Sequence, residues 1–257
     1  MRLSTLIIVA SITIVMALLI ALGTWQVNRL HWKELLIERV ELYLAADPQP
    51  VSTILQEVAS GSGELDYRPT NITGIYLPDQ AFLEFTTHNG RSGWNQFAVL
   101  NLRDAEDGSL LRYAFVNRGF IPFEAKDNWQ SVARLPSEEQ KITGLLRVAP
   151  ASKPGSFMPD NLPLEKIYYW RDLVSMATSI GLDPDSVALW YVDEGIPGKP
   201  EVAQGAFPIS GTTIISFSNN HLQYAVTWYG LALALFGVGG YFLYVRRANN
   251  GRENEQS

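Results

Sequence analysis

The 257-residue sequence contains no cysteine and only three histidines, His31, His88 and His221. Without thiols the chain cannot form disulfides, hold an iron–sulfur cluster or bind zinc through thiolates. It also cannot use a cysteine nucleophile. Any chemistry that needs an imidazole must use one of the three histidines. The same inventory disfavours copper handling, because soft thiolate ligands are missing and methionine occurs only at positions 1, 16, 158 and 176.

Basic residues are also in the minority. The chain has 20 Lys and Arg against 26 Asp and Glu, a net charge of −6, so it lacks the electrostatic footprint of a nucleic-acid-binding protein. It contains no Gly-rich phosphate loop, no H-E-x-x-H and no G-x-S-x-G. Linear order leaves a Ser/His/Asp arrangement open, but no local motif supports one. We therefore expect a protein that is not an enzyme.

Charge is missing altogether from two long apolar runs, Leu3 to Trp25 and Leu222 to Val245. About 20 helical residues cross a hydrocarbon core of roughly 30 Å, so both runs are long enough to span a membrane. The few polar side chains of the first run are Ser and Thr, which can bond to their own helix. Tyr and Trp cluster at both ends of the second run, as in an aromatic belt. Both runs predict transmembrane helices.

Each run has an alternative interpretation. The first is also compatible with a cleaved signal peptide, but the apolar core of such a peptide is only about 7–15 residues long and is followed by a small-x-small cleavage site, which is missing here. The second is also compatible with a buried core helix, although a core helix of this length rarely lacks charge.

The basic residues near the two runs indicate an orientation. Arg2 precedes the first run, and arginines at 246, 247 and 252 follow the second, which favours cytoplasmic termini. Basic residues at 29, 33 and 39 argue the other way, but a large domain translocates largely regardless of charge. We expect both termini inside, residues 26–221 outside and a short cytoplasmic tail at 246–257.

The sequence between the two runs predicts an α+β domain with a mainly antiparallel sheet. β-like segments alternate with turn residues at the spacing of such a sheet. The predicted strands are Asn71–Leu77, Ala81–Thr87, Asn95–Leu102, Leu111–Asn117, Lys141–Arg147, Val187–Val192 and Thr212–Phe217. Leu77–Gln80 and Asp104–Gly108 are the predicted hairpin connections.

Three helices are predicted in the same region. Val27–Ala46 has one apolar and one charged face and is expected to continue the first membrane helix. Val51–Ala59 and Asp172–Ile180 are shorter, and the second of them ends at a glycine. Pro150–Pro163, rich in Pro, Gly and Asn, is a predicted loop.

Several segments carry a family resemblance in order along the chain. They are Leu22-Gly23-Thr24-Trp25-Gln26-Val27-Asn28-Arg29 with Trp32-Lys33, Val116-Asn117-Arg118-Gly119-Phe120-Ile121-Pro122, Gly144-Leu145-Leu146-Arg147, Tyr169-Trp170-Arg171-Asp172, and Asn219-Asn220-His221-Leu222-Gln223-Tyr224-Ala225-Val226-Thr227-Trp228-Tyr229. Together they resemble the Surfeit locus protein family, the assembly factors of haem–copper cytochrome oxidase. The last segment is long and specific. The family usually has tryptophan at Phe120, and neither Asp104–Asp107 nor the tail after Ala248 matches it.

The resemblance implies a two-helix membrane protein whose central domain lies in the periplasm or intermembrane space. It implies a role in building the catalytic subunit of the oxidase through delivery or insertion of haem a. The catalytic subunit and the haem a synthesis machinery are then the expected partners, and His221 of the last segment is an expected haem contact. The first apolar run starts at residue 3 without an Arg/Ser-rich transit peptide, so we expect a bacterial protein of the inner membrane.

The residues themselves make His221 the first candidate for haem ligation. A neutral imidazole is a good axial ligand for haem iron, and the apolar ring would lie against lipid or helix. On a helix His221, Tyr224, Ala225 and Trp228 share a face, where Ala225 leaves room for a flat ring and Trp228 can pack against it. The alternative is an amphipathic side chain that only anchors the helix end.

Two further residues are weaker candidates. His31 lies just beyond the first run and is either a second axial ligand, a neighbour of the same pocket, or part of a solvated helix face. Arg118 either belongs to a turn or pairs with a haem propionate, because a guanidinium matches a carboxylate in a bidentate way. His88 precedes Asn89-Gly90 and is assigned no role.

Three hypotheses follow from these residues. The first is a non-enzymatic assembly factor that carries or presents haem a through His221. The second is a membrane scaffold that stabilises an oxidase assembly intermediate without binding haem. The third, a membrane-bound enzyme acting on haem or its precursor, is disfavoured by the residue inventory.

Overall fold

The computed structural model describes residues 3–103, 112–202, 207–215 and 217–255. The chain forms two compact units. The helical unit holds the described residues of Met1–Arg39 and Ser216–Ser257, and the barrel unit holds those of Val40–Ile215. The expected fold class is confirmed, because two helices long and apolar enough to cross a membrane flank an α+β domain with a mainly antiparallel sheet.

The element bounds are as follows. The α-helices are α1 (Leu3–Leu44), α2 (Val51–Ala59), α3 (Trp129–Val132), α4 (Leu173–Ser179) and α5 (His221–Glu255). The strands are β1 (Gln49–Pro50), β2 (Arg68–His88), β3 (Arg91–Leu102), β4 (Tyr113–Pro122), β5 (Gln140–Val148), β6 (Ile167–Tyr168), β7 (Val187–Glu194), β8 (Glu201–Val202) and β9 (Ile209–Ser210). Short 3₁₀ turns cover Phe123–Asn128, Pro163–Glu165 and Pro184–Ser186.

The predicted helices of the central region are confirmed with small changes at their ends. α1 runs without a break from the first apolar run to Leu44, and α2 has the predicted bounds. α4 starts one residue later than predicted, because Asp172 is its N-cap. The Asp172 carboxylate accepts a hydrogen bond of 2.9 Å from the Ser175 backbone N–H.

Five strands of the barrel unit pair in a closed circuit. β2 pairs with β5 through its first half and with β3 through its second half, both antiparallel. β3 pairs with β4, β4 pairs in parallel with β7, and β7 pairs with β5, which completes the circuit. A closed sheet leaves these strands no free edge along the circuit, so they form a small barrel.

The predicted hairpin at Leu77–Gln80 is wrong. β2 is one continuous strand whose register against β3 shifts between Tyr76 and Ala81, and Asp79 adopts a φ of 56°. The turn residues therefore make a bulge and not a reversal. A bulge bends a strand and tolerates a proline, which allows β2 to turn away from β5 and continue along β3.

The predicted strand Thr212–Phe217 is also wrong. Residues 212–215 and 217 have no regular structure. The run satisfies the β pattern, but both edges of the nearby strand β4 are taken, one by β3 and the other by β7 and β9. A β-like run without a partner edge stays irregular. The predicted connection Asp104–Gly108 and the start of Leu111–Asn117 lie outside the described residues.

Buried side chains from all five strands meet inside the barrel. This interior cluster includes Ile72, Leu100, Val116, Ile142 and Val192, and α2 adds the fully buried Ile54. The alternate residues of the same strands point outward, where a second cluster forms beneath α4. Because β3 and β4 are buried on both faces, residues 97–100 and 113–116 of these strands are continuously apolar and lack an alternation.

The approach of β7 to β5 predicts the effect of a substitution at Gly144. A Cβ at this position would lie 2.2 Å from the Asp193 carbonyl oxygen and 2.7 Å from a Val192 methyl carbon. We expect Gly144→Ala to lower the free energy of unfolding by about 1–3 kcal/mol, measured by denaturant unfolding in detergent. Gly155→Ala is the matched control, because its Cβ meets open space. Equal stability of the two variants would contradict the close approach.

Candidate functional site

Helices α1 and α5 form an antiparallel pair within the helical unit. Contacts along their length show this direction, because the residue number rises along α1 while it falls along α5. The contacts are Ile12 with Gly239, Thr24 with Tyr229, and Gln26 with His221.

The contact between Thr24 and Tyr229 fixes the register of the pair. The two hydroxyl oxygens lie 3.0 Å apart, and Thr24 donates its own hydrogen to the Ile20 carbonyl, so Tyr229 donates to Thr24. Gly23 makes the approach possible, since a Cβ there would lie 2.8–3.0 Å from the Tyr229 ring. The phenol therefore lies directly against the backbone of α1.

Further along the pair, His221 at the start of α5 meets Gln26. The Nδ1 atom of His221 lies 2.8 Å from Oε1 of Gln26, which is only 9% exposed. An amide oxygen can only accept a hydrogen bond, so Nδ1 carries a proton, and the neutral imidazole of this pair keeps its lone pair on Nε2. A histidine that binds a metal through one nitrogen commonly donates its other N–H to an oxygen acceptor. The pair therefore presents His221 in the tautomer that can ligate through Nε2.

The neighbours of His221 differ in their surroundings. Ala225 is buried, so the structure leaves no open space at this residue, contrary to our expectation of room for a ring there. Trp228 is half-buried and Tyr224 is 54% exposed. Trp228 Nε1 and Asn219 Oδ1 are buried without a hydrogen-bond partner among the described residues. Buried polar atoms are normally satisfied, so these two atoms are available to a bound group.

The structure does not join His31 to this constellation. It lies on α1, is exposed, and makes no contact with His221 among the residues that the structure describes. Its assignment as a second axial ligand stays a prediction. In the same described part of the chain, no group of three or more His, Cys, Asp or Glu side chains is placed to hold a metal ion.

Arg118 belongs to the other unit and lies in the barrel interior. It sits at the bulge of β4 opposite Gln96 and is only 6% exposed. Its Nη1 donates to Gln96 Oε1 at 2.7 Å and lies 3.4 and 3.3 Å from the carbonyl oxygens of Ala133 and Arg134. The guanidinium thus ties the segment after α3 to the barrel. Its pairing with a carboxylate of a ligand stays a prediction.

The barrel wall carries a polar network that the sequence analysis missed. Every strand of the circuit contributes one member, and Arg171 joins them from the loop before α4. The members from the strands are Glu84, Asn95, Asn117, Arg147 and Asp193. The only signal in the sequence was the occurrence of Asn, Asp and Glu within otherwise apolar strands.

Two arginines are central to this network. Arg171 Nε pairs with the Glu84 carboxylate at 2.8 Å, and its Nη1 donates to the Tyr191 hydroxyl. Arg147 Nε donates to Asp66 at 2.9 Å, and its Nη1 lies 3.4 Å from Asp193. Both guanidiniums are therefore held by carboxylates on one side.

The two arginines of the network stay charged at neutral pH. Burial opposes the charge on Arg171, but the Glu84 carboxylate outweighs it and raises the pKa of the guanidinium. For Arg147, burial is likewise outweighed by the carboxylates of Asp193 and Asp66, so its pKa is raised as well. Burial raises the pKa of the Tyr191 phenol, which keeps it protonated at neutral pH. Two fixed positive charges therefore lie in the barrel wall.

Comparison with known proteins gives one consistent result. The family model described as SURF1 family matches residues 13–233, which include both His221 and Arg118. Surfeit locus protein 1 of Xenopus tropicalis is 30% identical over 227 residues, covering 83% of this chain and 68% of its own. The proteins of the same name from Gallus gallus (31% over 235 residues) and Homo sapiens (29% over 234 residues) cover 83% of this chain and 68% and 70% of their own.

The contact between Gln26 and His221 predicts the tautomer of the histidine. We expect the ¹⁵N spectrum of the full chain in detergent to show His221 protonated at Nδ1 and bare at Nε2. Gln26→Ala removes the acceptor and should give a mixture of both tautomers. Thr24→Val removes the neighbouring interhelical hydrogen bond but not the acceptor, so its spectrum should keep the Nδ1–H form. An Nε2–H form in the wild type would contradict the geometry.

Proposed function

The chain belongs to the SURF1 family, and on that premise we propose that it is a membrane-bound, non-enzymatic assembly factor for haem–copper cytochrome oxidase, which carries or presents haem a through His221. The contact between His221 and Gln26 is the observation that carries this proposal. It supports the proposal because it occupies Nδ1 and selects the tautomer that can ligate through Nε2, at the end of an apolar helix.

The residues around His221 fit such a group. When bound, haem supplies an iron that accepts a neutral imidazole as its axial ligand. His221 would hold the iron, and Gln26 would orient the imidazole from behind. Trp228 and Tyr224 would lie beside the ring, and the free Trp228 Nε1 is a donor for a polar edge. His31 as a second ligand and Arg118 as a partner of a propionate remain part of the proposal.

The proposal includes a location and partners. Both apolar helices would cross the inner membrane of a bacterium, with both termini in the cytoplasm and the barrel unit in the periplasm. The arginines that follow the second apolar run support this orientation. The catalytic subunit of the oxidase would receive the haem, and the haem a synthesis machinery would supply it.

The haem hypothesis predicts a colour. The full chain, purified in mild detergent from cells that make haem a, should show a Soret band in its visible spectrum. His221→Ala removes the ligand and should abolish the band. His88→Ala is the matched control, because His88 lies on the barrel unit beside Asn89, and it should keep the wild-type spectrum. Gln26→Ala should weaken haem binding by about 10–100-fold, the usual effect of removing an outer partner of a metal ligand.

A colourless wild-type protein would overturn the haem hypothesis, provided that it is folded and that the cells are shown to make haem a. The chain would then be better described as a scaffold that stabilises an oxidase assembly intermediate without binding haem. Assembly activity that survives His221→Ala would point to the same scaffold.

A further inference from the structure

A polar cavity of about 260 Å³ lies against the wall of the barrel unit, on the network that joins the five strands. We call it the arginine pocket. Arg147 and Arg171 line it together with Asn95, Asn117 and Asp193. Residues 212–214 of the irregular segment after β9 and residues 86–88 of β2, among them His88, complete the lining.

The two arginines each leave one edge of the guanidinium unused. Arg147 engages Asp66 and Asp193 through Nε and Nη1, and Arg171 engages Glu84 and Tyr191 through the same two atoms. Neither Nη2 has a hydrogen-bond partner among the described residues, and neither is sealed inside the protein. Since both residues line the cavity, these free groups are donors available at the pocket.

The carboxylates of the wall, in contrast, are already engaged. Asp193 is 4% exposed and accepts from Asn117 with one oxygen, at 2.7 Å, and from Arg147 with the other. Glu84 accepts from Asn95 and Arg171, and it does not line the cavity. Hydroxyls of threonines on β2 and in the segment after β9 add further donors to the lining. The pocket therefore offers the free N–H donors of two guanidiniums, whose charges are offset by Asp66, Asp193 and Glu84.

We propose that the arginine pocket binds a small oxyanion, that is, a carboxylate or phosphate group, against the free edges of Arg147 and Arg171. The planar guanidinium matches both kinds of oxyanion through paired N–H donors. Five strands hold the wall in place, so the donors are positioned before the ligand arrives. The site is independent of His221 and of any haem.

The size of the cavity limits the ligand. Pockets for complete drug-sized molecules start at about 300 Å³, and this one is slightly smaller. It therefore takes a small anion or the anionic end of a larger molecule.

Residues 212–214 cover one side of the arginine pocket, and His221 at the start of α5 follows seven residues after Ile214. Binding orders this covering segment, because its threonines gain a hydrogen-bond partner.

Calorimetric titration of the haem-free full chain in a neutral detergent tests the site. Inorganic phosphate and succinate serve as tetrahedral and planar probes, with chloride at equal ionic strength as the baseline. We expect saturable binding of at least one probe and slower amide hydrogen exchange at residues 212–215 when it is present. Binding of one probe alone identifies the kind of oxyanion.

The variants separate binding from folding. Arg171→Lys and Arg147→Lys keep the charge but lose the fork, so we expect each to weaken binding by about tenfold or more. Arg68→Lys is the matched control, because Arg68 is a largely buried arginine paired with Glu57 at 2.7 Å outside the pocket, and it should bind as the wild type does. Thr213→Val changes the lining without touching the ion pairs, and it should weaken binding even if the arginine variants do not fold.

Two results would overturn the proposal. One is no heat beyond the chloride baseline for either probe with folded wild-type protein. The other is equal binding by wild type, Arg171→Lys and Thr213→Val. In both cases the network only stabilises the barrel. Neither result bears on haem binding at His221, which is measured separately by the visible spectrum.

Discussion

Strand β2 pairs along both of its edges, with β5 from Arg68 to Gly74 and with β3 from Gly74 to His88. The barrel closes through this one strand, which joins β5 to β3, and the bulge between Tyr76 and Ala81 bends it along β3. Closure then determines what lies inside and outside. It collects apolar side chains of five strands in one interior cluster, and it arranges one polar side chain from each of the same strands in a single network on the wall.

The hydrogen bonds between the two helices of the helical unit contribute little to stability. A side-chain hydrogen bond between membrane helices contributes only about 0.6–2 kcal/mol, since the separated helices also find partners. Two such bonds, Thr24 with Tyr229 and Gln26 with His221, are too weak to explain the pairing of two long helices by themselves. Their importance lies in orientation. The Thr24 contact sets the register, and the register brings the Gln26 amide to the imidazole.

Patterns confined to neighbouring residues were predicted well. The absence of charge over 23 or 24 residues identified both long helices, and local sequence predicted the bounds of α2 and, to within one residue at each end, those of α4. Features that depend on pairing with distant strands were not predicted correctly. Pro78-Asp79 is typical of a turn but forms a bulge, because β2 pairs with β3 both before and after these two residues. Thr212–Phe217 is typical of a strand and is irregular, because no edge of β4 remains for it.

The same distinction applies to the candidate sites. The sequence by itself determined the two apolar helices, the β-rich domain, the family resemblance and the choice of His221, since each depends on composition or on a contiguous motif. Only the tertiary structure decided that Gln26 is the partner of His221, 195 residues away, and that Arg118 lies inside the barrel. It also decided that Arg147 and Arg171 share a cavity. Such contacts arise from strand pairing and helix register, which bring together residues that no local pattern connects.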